Sequence, residues 1–150
     1  MHKSTTAPGE LAPALLAIRL SAAAFFLVWA LEKVLSPADG QRVFQNFYFS
    51  SPPLEAIVAI GVVQTLVILA FAAGAFKLWT YGALLLMHAV STLSTWARLI
   101  DPYSGPNQLF WAAVPTLAAL AALFVLRRYD NLLAVERDPK AHDDRPELVA

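Results

Sequence analysis

Five side chains at helical spacing carry the clearest chemical potential in this sequence. His88, Ser91, Thr92, Thr95 and Arg98 recur every three or four residues, so a helix through them presents one polar stripe. An imidazole that titrates near neutrality, followed by hydroxyls and a guanidinium, suits a polar ligand pocket or a proton path. The same residues admit a plainer reading. Ser and Thr hydroxyls bond back to their own helix carbonyls, while His88 bonds across to Gln64 or Thr65. Trp96 adds an aromatic ring beside the stripe, so His88, Gln64, Thr92, Thr95 and Trp96 form a candidate pocket, which Arg19 joins as a second cation in an apolar run. The competing reading of Arg19 is that its long side chain snorkels to the nearest headgroups.

A second group is Glu32, Lys33, Glu55, Arg98 and Asp101. If the helices that carry them run antiparallel, these charges meet at one end as an outer cluster. Lys33 is then expected to pair with Glu55, and Arg98 with Glu32 or Asp101, each pair worth little at a wet boundary. Much other chemistry is absent from the pattern. The chain has no cysteine and its three histidines are scattered, which leaves no thiolate or clustered-histidine metal site. No phosphate-binding glycine loop, nucleophile elbow or H-E-x-x-H occurs. Eleven basic and eleven acidic residues balance, so nothing in the net charge favours nucleic acid.

The elements that position these groups are apolar and long. Of 150 residues 58% are hydrophobic and 15% charged, with mean hydropathy +0.56. A soluble domain is nearer a quarter charged. Four stretches approach the roughly 20 apolar residues that cross a bilayer: 13–35, 54–76, 78–100 and 109–126. Between Glu55 and Lys77, and between Leu109 and Arg127, there is no charge at all, whereas a soluble bundle needs a polar face on every helix. The predicted fold is therefore all-α, an integral membrane four-helix bundle over residues 13–128. Residues 1–12 form a polar N-terminal segment, and 129–150 a mobile cytoplasmic tail of mixed charge. Lys3, Lys77, Arg127 and Arg128 place both termini on the cytoplasmic side. Arg19, Glu32 and Lys33 argue that the first helix is retained rather than cleaved as a signal.

The first external loop, 36–53, carries Val43, Phe44, Phe47 and Tyr48 at helical spacing, with Phe49 beside them. A short helix at the membrane interface is expected there, acting as an aromatic anchor, a cap over a cavity or a docking surface. Pro115 is expected to kink the last helix.

These features resemble the DoxX-like family of small four-helix membrane proteins. An arginine opens the first helix (Arg19), and a lysine closes it after the aromatic-rich FFLVWALEK (Lys33). An acid starts the second (Glu55), followed by Gly61, Gly74 and a long aliphatic run, with the third helix almost immediately after. The resemblance covers about residues 14–128, and the glycines common in the family's first helix are here Ala and Trp. The reactive-chlorine-resistance membrane proteins share a similar opening helix and aromatic loop. The resemblance implies a place in the bacterial inner membrane and an association with redox or oxidative-stress systems. Relatives serve as membrane subunits of a thiosulfate:quinone oxidoreductase. Three expectations follow. The first is an accessory subunit, without catalytic activity of its own, that meets a protein partner or a second copy through the aromatic loop and outer charges. Another is a quinone pocket around His88, Gln64, Thr92 and Trp96. The last is a proton or solute conductor along the stripe.

Overall fold

Among the described residues, 8–138 of this computed structural model, every regular element is a helix. The order is α1 (Pro8–Leu35), α2 (Pro37–Phe47), α3 (Leu54–Ala72), α4 (Lys77–Ser94), α5 (Trp96–Ile100), a 3₁₀ helix (Gly105–Ala112) and α6 (Ala113–Val125). Three stretches are long and apolar enough to cross a membrane: Glu10–Leu35, Leu54–Ala72 and Gly105–Val125. The third predicted crossing is not among them.

Several boundaries differ from expectation, each for a local reason. Helix α1 starts five residues before Pro13, because Pro8 is preset for a first turn and Glu10 complements the helix dipole there. The second stretch stops at Ala72 rather than residue 76: Gly74 (φ +62°) and Phe76 (φ +48°) take left-handed conformations that reverse the chain into α4. The run 78–100 is not one helix. It breaks at Thr95 (φ −97°, ψ 13°), where neighbouring hydroxyls compete for helix carbonyls. The last stretch begins as a 3₁₀ helix and becomes α-helical at Ala113, which places Pro115 in a first turn, where its missing N–H does no harm. Helix α2 begins earlier than Asp39-Gly40, running through both from Pro37.

Helix α1 packs chiefly along α3, and α4 along α6. The core joins Leu15, Ala22, Ala23 and Ala30 of α1 to Ile68 and Phe71 of α3, Tyr81 and Leu84 of α4, and Leu120 and Leu123 of α6. Small residues set the α1–α3 approach. A methyl group added at Gly61 would lie 2.9 Å from the Ala30 carbonyl oxygen.

The largest correction concerns the expected mobile tail. Residues 129–138 fold back onto the α3–α4 turn, burying Asp130 and Ala134. Val135 N–H donates to the Ala73 carbonyl (2.9 Å) and Glu136 N–H to that of Gly74 (3.0 Å). Mixed charge suggested disorder, but here the charges have partners within the fold. Residues 1–7 and 139–150, parts of the two predicted terminal segments, lie outside the described residues. The α3–α4 turn and the returning segment define one end of the molecule, the hairpin end. Helix α2, α5 and the 3₁₀ helix lie at the other, the α2 end.

Candidate functional site

At the hairpin end Arg19, Tyr81 and Asp130 come together. Arg19 leans from α1 toward its N-terminus, as long helical side chains do, and reaches the turn past Gly74. A methyl group on Gly74 would sit 2.7 Å from Arg19 Nη1 and from Ala134 Cβ. Arg19 and Asp130 are fully buried, with Nη1 3.1 Å from Oδ1. The Tyr81 hydroxyl donates to Asp130 Oδ2 (2.7 Å) and accepts from Arg19 Nη1 (3.4 Å). Arg19 Nη2 donates to the carbonyls of Leu132 (2.7 Å) and Leu133 (3.2 Å), holding a turn in which Leu133 has φ +50°. Only Nε of this guanidinium is buried without a hydrogen-bond partner.

Lys77 extends the cluster. Its Nζ donates to Asn131 Oδ1 (3.0 Å), and its backbone N–H donates to the Glu136 carboxylate (2.8 Å). That carboxylate caps the start of α4, where the helix has no side-chain cap of its own. Arg128 and Asp138 pair at 3.0 Å across the same segment. Chemically the arrangement is a clamp: Arg19 pairs with Asp130 and Arg128 with Asp138, and Arg19 holds the backbone carbonyls of Leu132 and Leu133 in the returning segment.

His88 lies on α4, buried (6% exposed) against the rings of Phe25 and Phe26, with centroids at 6.4 and 5.3 Å. Its Nε2 donates to the Ala113 carbonyl (3.0 Å), which assigns the proton to that nitrogen. Of the expected pocket, Thr92 and Thr95 lie on the same run. The Thr92 hydroxyl donates to the His88 carbonyl (2.8 Å) and the Thr95 hydroxyl to that of Thr92 (2.9 Å). Gln64 instead turns its amide to Met87 Sδ (3.7 Å), Thr65 bonds to the Gly61 carbonyl (2.8 Å) and Trp96 is 60% exposed. Arg19 belongs to the clamp. The stripe thus serves the backbone of its own helix, and His88 reaches α6 rather than α3.

The outer charges lie toward the α2 end but do not pair as expected. Among the described residues, ion pairs join Arg19 to Asp130, Arg42 to Asp39 and Arg128 to Asp138. Lys33 Nζ donates to the Trp29 carbonyl (3.0 Å), its stem lying beside Gly40 and Gly61. Arg98 donates to Asn107 Oδ1 (3.5 Å), and Asn107 to the Asp101 carbonyl (2.9 Å); Glu55 is exposed and Glu32 half-buried. In the aromatic loop, Phe44 stacks on Tyr48 (5.1 Å) and Phe47 meets Phe110 (5.8 Å). Phe49, at φ +51°, is 95% exposed.

Sequence reasoning missed Tyr81, Lys77, Asn107, Asn131, Glu136 and above all Asp130. One signal was present: an acid directly after the RRY that closes the last apolar run, at the same end as a buried arginine. Among the described residues, no three His, Asp or Glu side chains gather as a metal site requires. No protein-family model, curated protein or solved structure matches the chain.

Proposed function

We propose that this chain is an integral membrane protein that crosses the bilayer four times with both termini cytoplasmic. In this reading it is an accessory subunit of a redox or oxidative-stress system near the quinone pool of a bacterial inner membrane. One observation carries the membrane half of the reading. Polar side chains gather at the two ends, and between them the surface is apolar: Val28, Val63, Leu66, Leu86, Val90 and Leu93 are all exposed. The 19 residues of α3 separate these ends, about 28 Å at 1.5 Å per residue and close to the ~30 Å hydrocarbon core. The run from Lys77 to Ile100 supplies the fourth crossing, its hydroxyls and His88 satisfied within protein as lipid demands. Helix α2, with its aromatic side, is then the interfacial helix of the outer surface.

The redox assignment rests on the DoxX-like pattern of residues 14–128, and the partner surface on the exposed aromatic loop around Phe49. The protein is expected in the membrane fraction after alkaline extraction, and affinity purification in mild detergent recovers a second protein, lost on Phe49→Ser. A monodisperse protein in detergent-free supernatant refutes the membrane reading. Full cellular activity of a partner-free preparation refutes the subunit reading.

A second reading, a quinone site at His88, is favoured by the two phenylalanine rings that pack against this buried imidazole. Purified protein then binds decylubiquinone, and His88→Ala weakens that binding. Unchanged affinity removes His88 from the site.

A further inference from the structure

The apolar surface of the last helix does not stop where the helix ends. Along α6, Val114, Ala118, Ala122 and Val125 are exposed at spacings of four, four and three, a single outward stripe. Tyr129 is exposed four residues further on. It closes a turn in which Leu126 N–H donates to the Ala122 carbonyl and Tyr129 N–H to that of Leu126 (2.9 Å each). Beyond it Leu132, Leu133 and Val135 are exposed as well, Leu133 at 71% and Val135 at 75%. These residues do not belong to a loose tail. Arg19 holds the carbonyls of Leu132 and Leu133, Ala134 is buried, and Val135 N–H donates to Ala73. The fold fixes this backbone and leaves its apolar side chains outside, continuous with the stripe of α6. A contiguous apolar surface of this kind marks a contact with something other than water.

Charge identifies the occupant. The three carboxylates of the returning segment are engaged within the protein: Asp130 with Arg19 and Tyr81, Glu136 with the N–H of Lys77, and Asp138 with Arg128. Among the described residues, Arg127 and Arg137 meet no carboxylate. Arg127 donates through Nη1 to the Phe124 carbonyl (2.6 Å), its guanidinium 4.5 Å above the Phe124 ring. Arg137 donates through Nε to the Ala134 carbonyl (3.2 Å). Each guanidinium keeps further donors in the geometry that suits a phosphate. Trp79, one turn into α4, is exposed at the same end. Apolar side chains, amphipathic rings and cations without a counter-charge together match the surface of an anionic phospholipid leaflet.

We infer that residues 127–137 form an interfacial anchor at the hairpin end. Tyr129, Leu132, Leu133 and Val135 enter the acyl boundary, and Arg127 and Arg137 bind the phosphates of anionic phospholipids. Arg19 and Asp130 act on it indirectly, by holding the backbone that carries the anchor. The inference rests on the membrane reading of the proposed function and makes no use of the redox assignment.

The absence of cysteine from the chain allows a nitroxide to be placed at one site at a time in the full protein. Leu133→Cys tests the anchor, and Leu66→Cys, on the exposed side of α3, tests the crossing. Both replace exposed side chains and are expected to keep the parent's thermal midpoint. In nanodiscs of mixed phosphatidylcholine and phosphatidylglycerol, oxygen relaxes both labels. A water-soluble nickel chelate reaches the Leu133→Cys label severalfold less than free label in buffer, and the Leu66→Cys label hardly at all. In native mass spectrometry the protein retains phosphatidylglycerol in preference to phosphatidylcholine, and Arg127→Gln with Arg137→Gln lowers that preference severalfold. A shielded Leu66→Cys label beside a fully reached Leu133→Cys label overturns the anchor and leaves the membrane reading standing. If the chelate reaches both labels freely, the membrane reading itself fails. A Leu133→Cys label shielded from oxygen and nickel alike is covered by protein, which overturns the lipid as occupant. Equal retention of the two lipids overturns the role of the arginines.

Discussion

The two ends of the molecule handle charge in opposite ways. At the hairpin end, Arg19 and Asp130 are fully buried, and each meets groups brought from distant parts of the chain: Tyr81, Leu132 and Leu133. At the α2 end, Arg98 and Glu55 stay exposed, and the bonds that form are short-range, Lys33 to Trp29, Asn107 to Asp101 and Arg42 to Asp39. Burial explains the contrast. A charge taken out of water needs a matched partner and further hydrogen bonds, so the clamp must be built completely. A charge left at a wet boundary gains little from pairing and is free to bond locally. One end is consequently tied together across the chain, and the other is a set of short helices held by local bonds.

The sharpest way to break this comparison is to remove one partner of the buried pair. Asp130→Ala leaves a buried guanidinium facing no carboxylate and is expected to destabilise the protein by about 3–5 kcal/mol, read as a drop in thermal midpoint in mild detergent. Arg19→Met combined with Asp130→Ala recovers a substantial part. Purely additive losses would mean that the two residues do not act as a pair.

Two glycines with left-handed φ, one at each end, give the next test. A methyl group at Gly74 meets strain and also Ala134 and Arg19, whereas one at Gly105 meets strain alone. Gly74→Ala is expected to lose about 2–4 kcal/mol and Gly105→Ala about 1 kcal/mol. Equal effects would place no close packing at the hairpin end.

His88→Ala removes the bond to the Ala113 carbonyl, an expected loss of about 1–2 kcal/mol. Faster exchange in 105–112 than in the α3–α4 turn is the accompanying signature. The smallest effects belong to the exposed charges. Glu55→Gln and Arg98→Ala are each expected to change stability by no more than about 0.5 kcal/mol. A loss rivalling that of Asp130→Ala would show that the α2 end is clamped as well.

How far the sequence could be read follows the same division. The uncharged run from Ala56 to Phe76 announces α3 by itself, and α2 was visible in the spacing of Phe44, Phe47 and Tyr48. His88 was legible as a buried polar group. Its partner was not, because Gln64 stands at a compatible depth and helical periodicity does not say which neighbouring helix a face meets. Thr95 looked like part of a ligand stripe, and the structure uses its hydroxyl to mend a helix break. Hydroxyls within bonding reach of a preceding carbonyl permit both outcomes.

Local composition settled the helical class and the apolar surface, since long uncharged runs are stable neither as polar-faced helices in water nor as strands that need partners. It also set the helix ends wherever a proline or glycine restricts φ. The pairing of Arg19 with Asp130 could be decided only by the three-dimensional arrangement. Nothing near either residue in the chain names the other, and the desolvation that makes the pair obligatory arises only when α1, α3, α4 and the returning segment have closed around them.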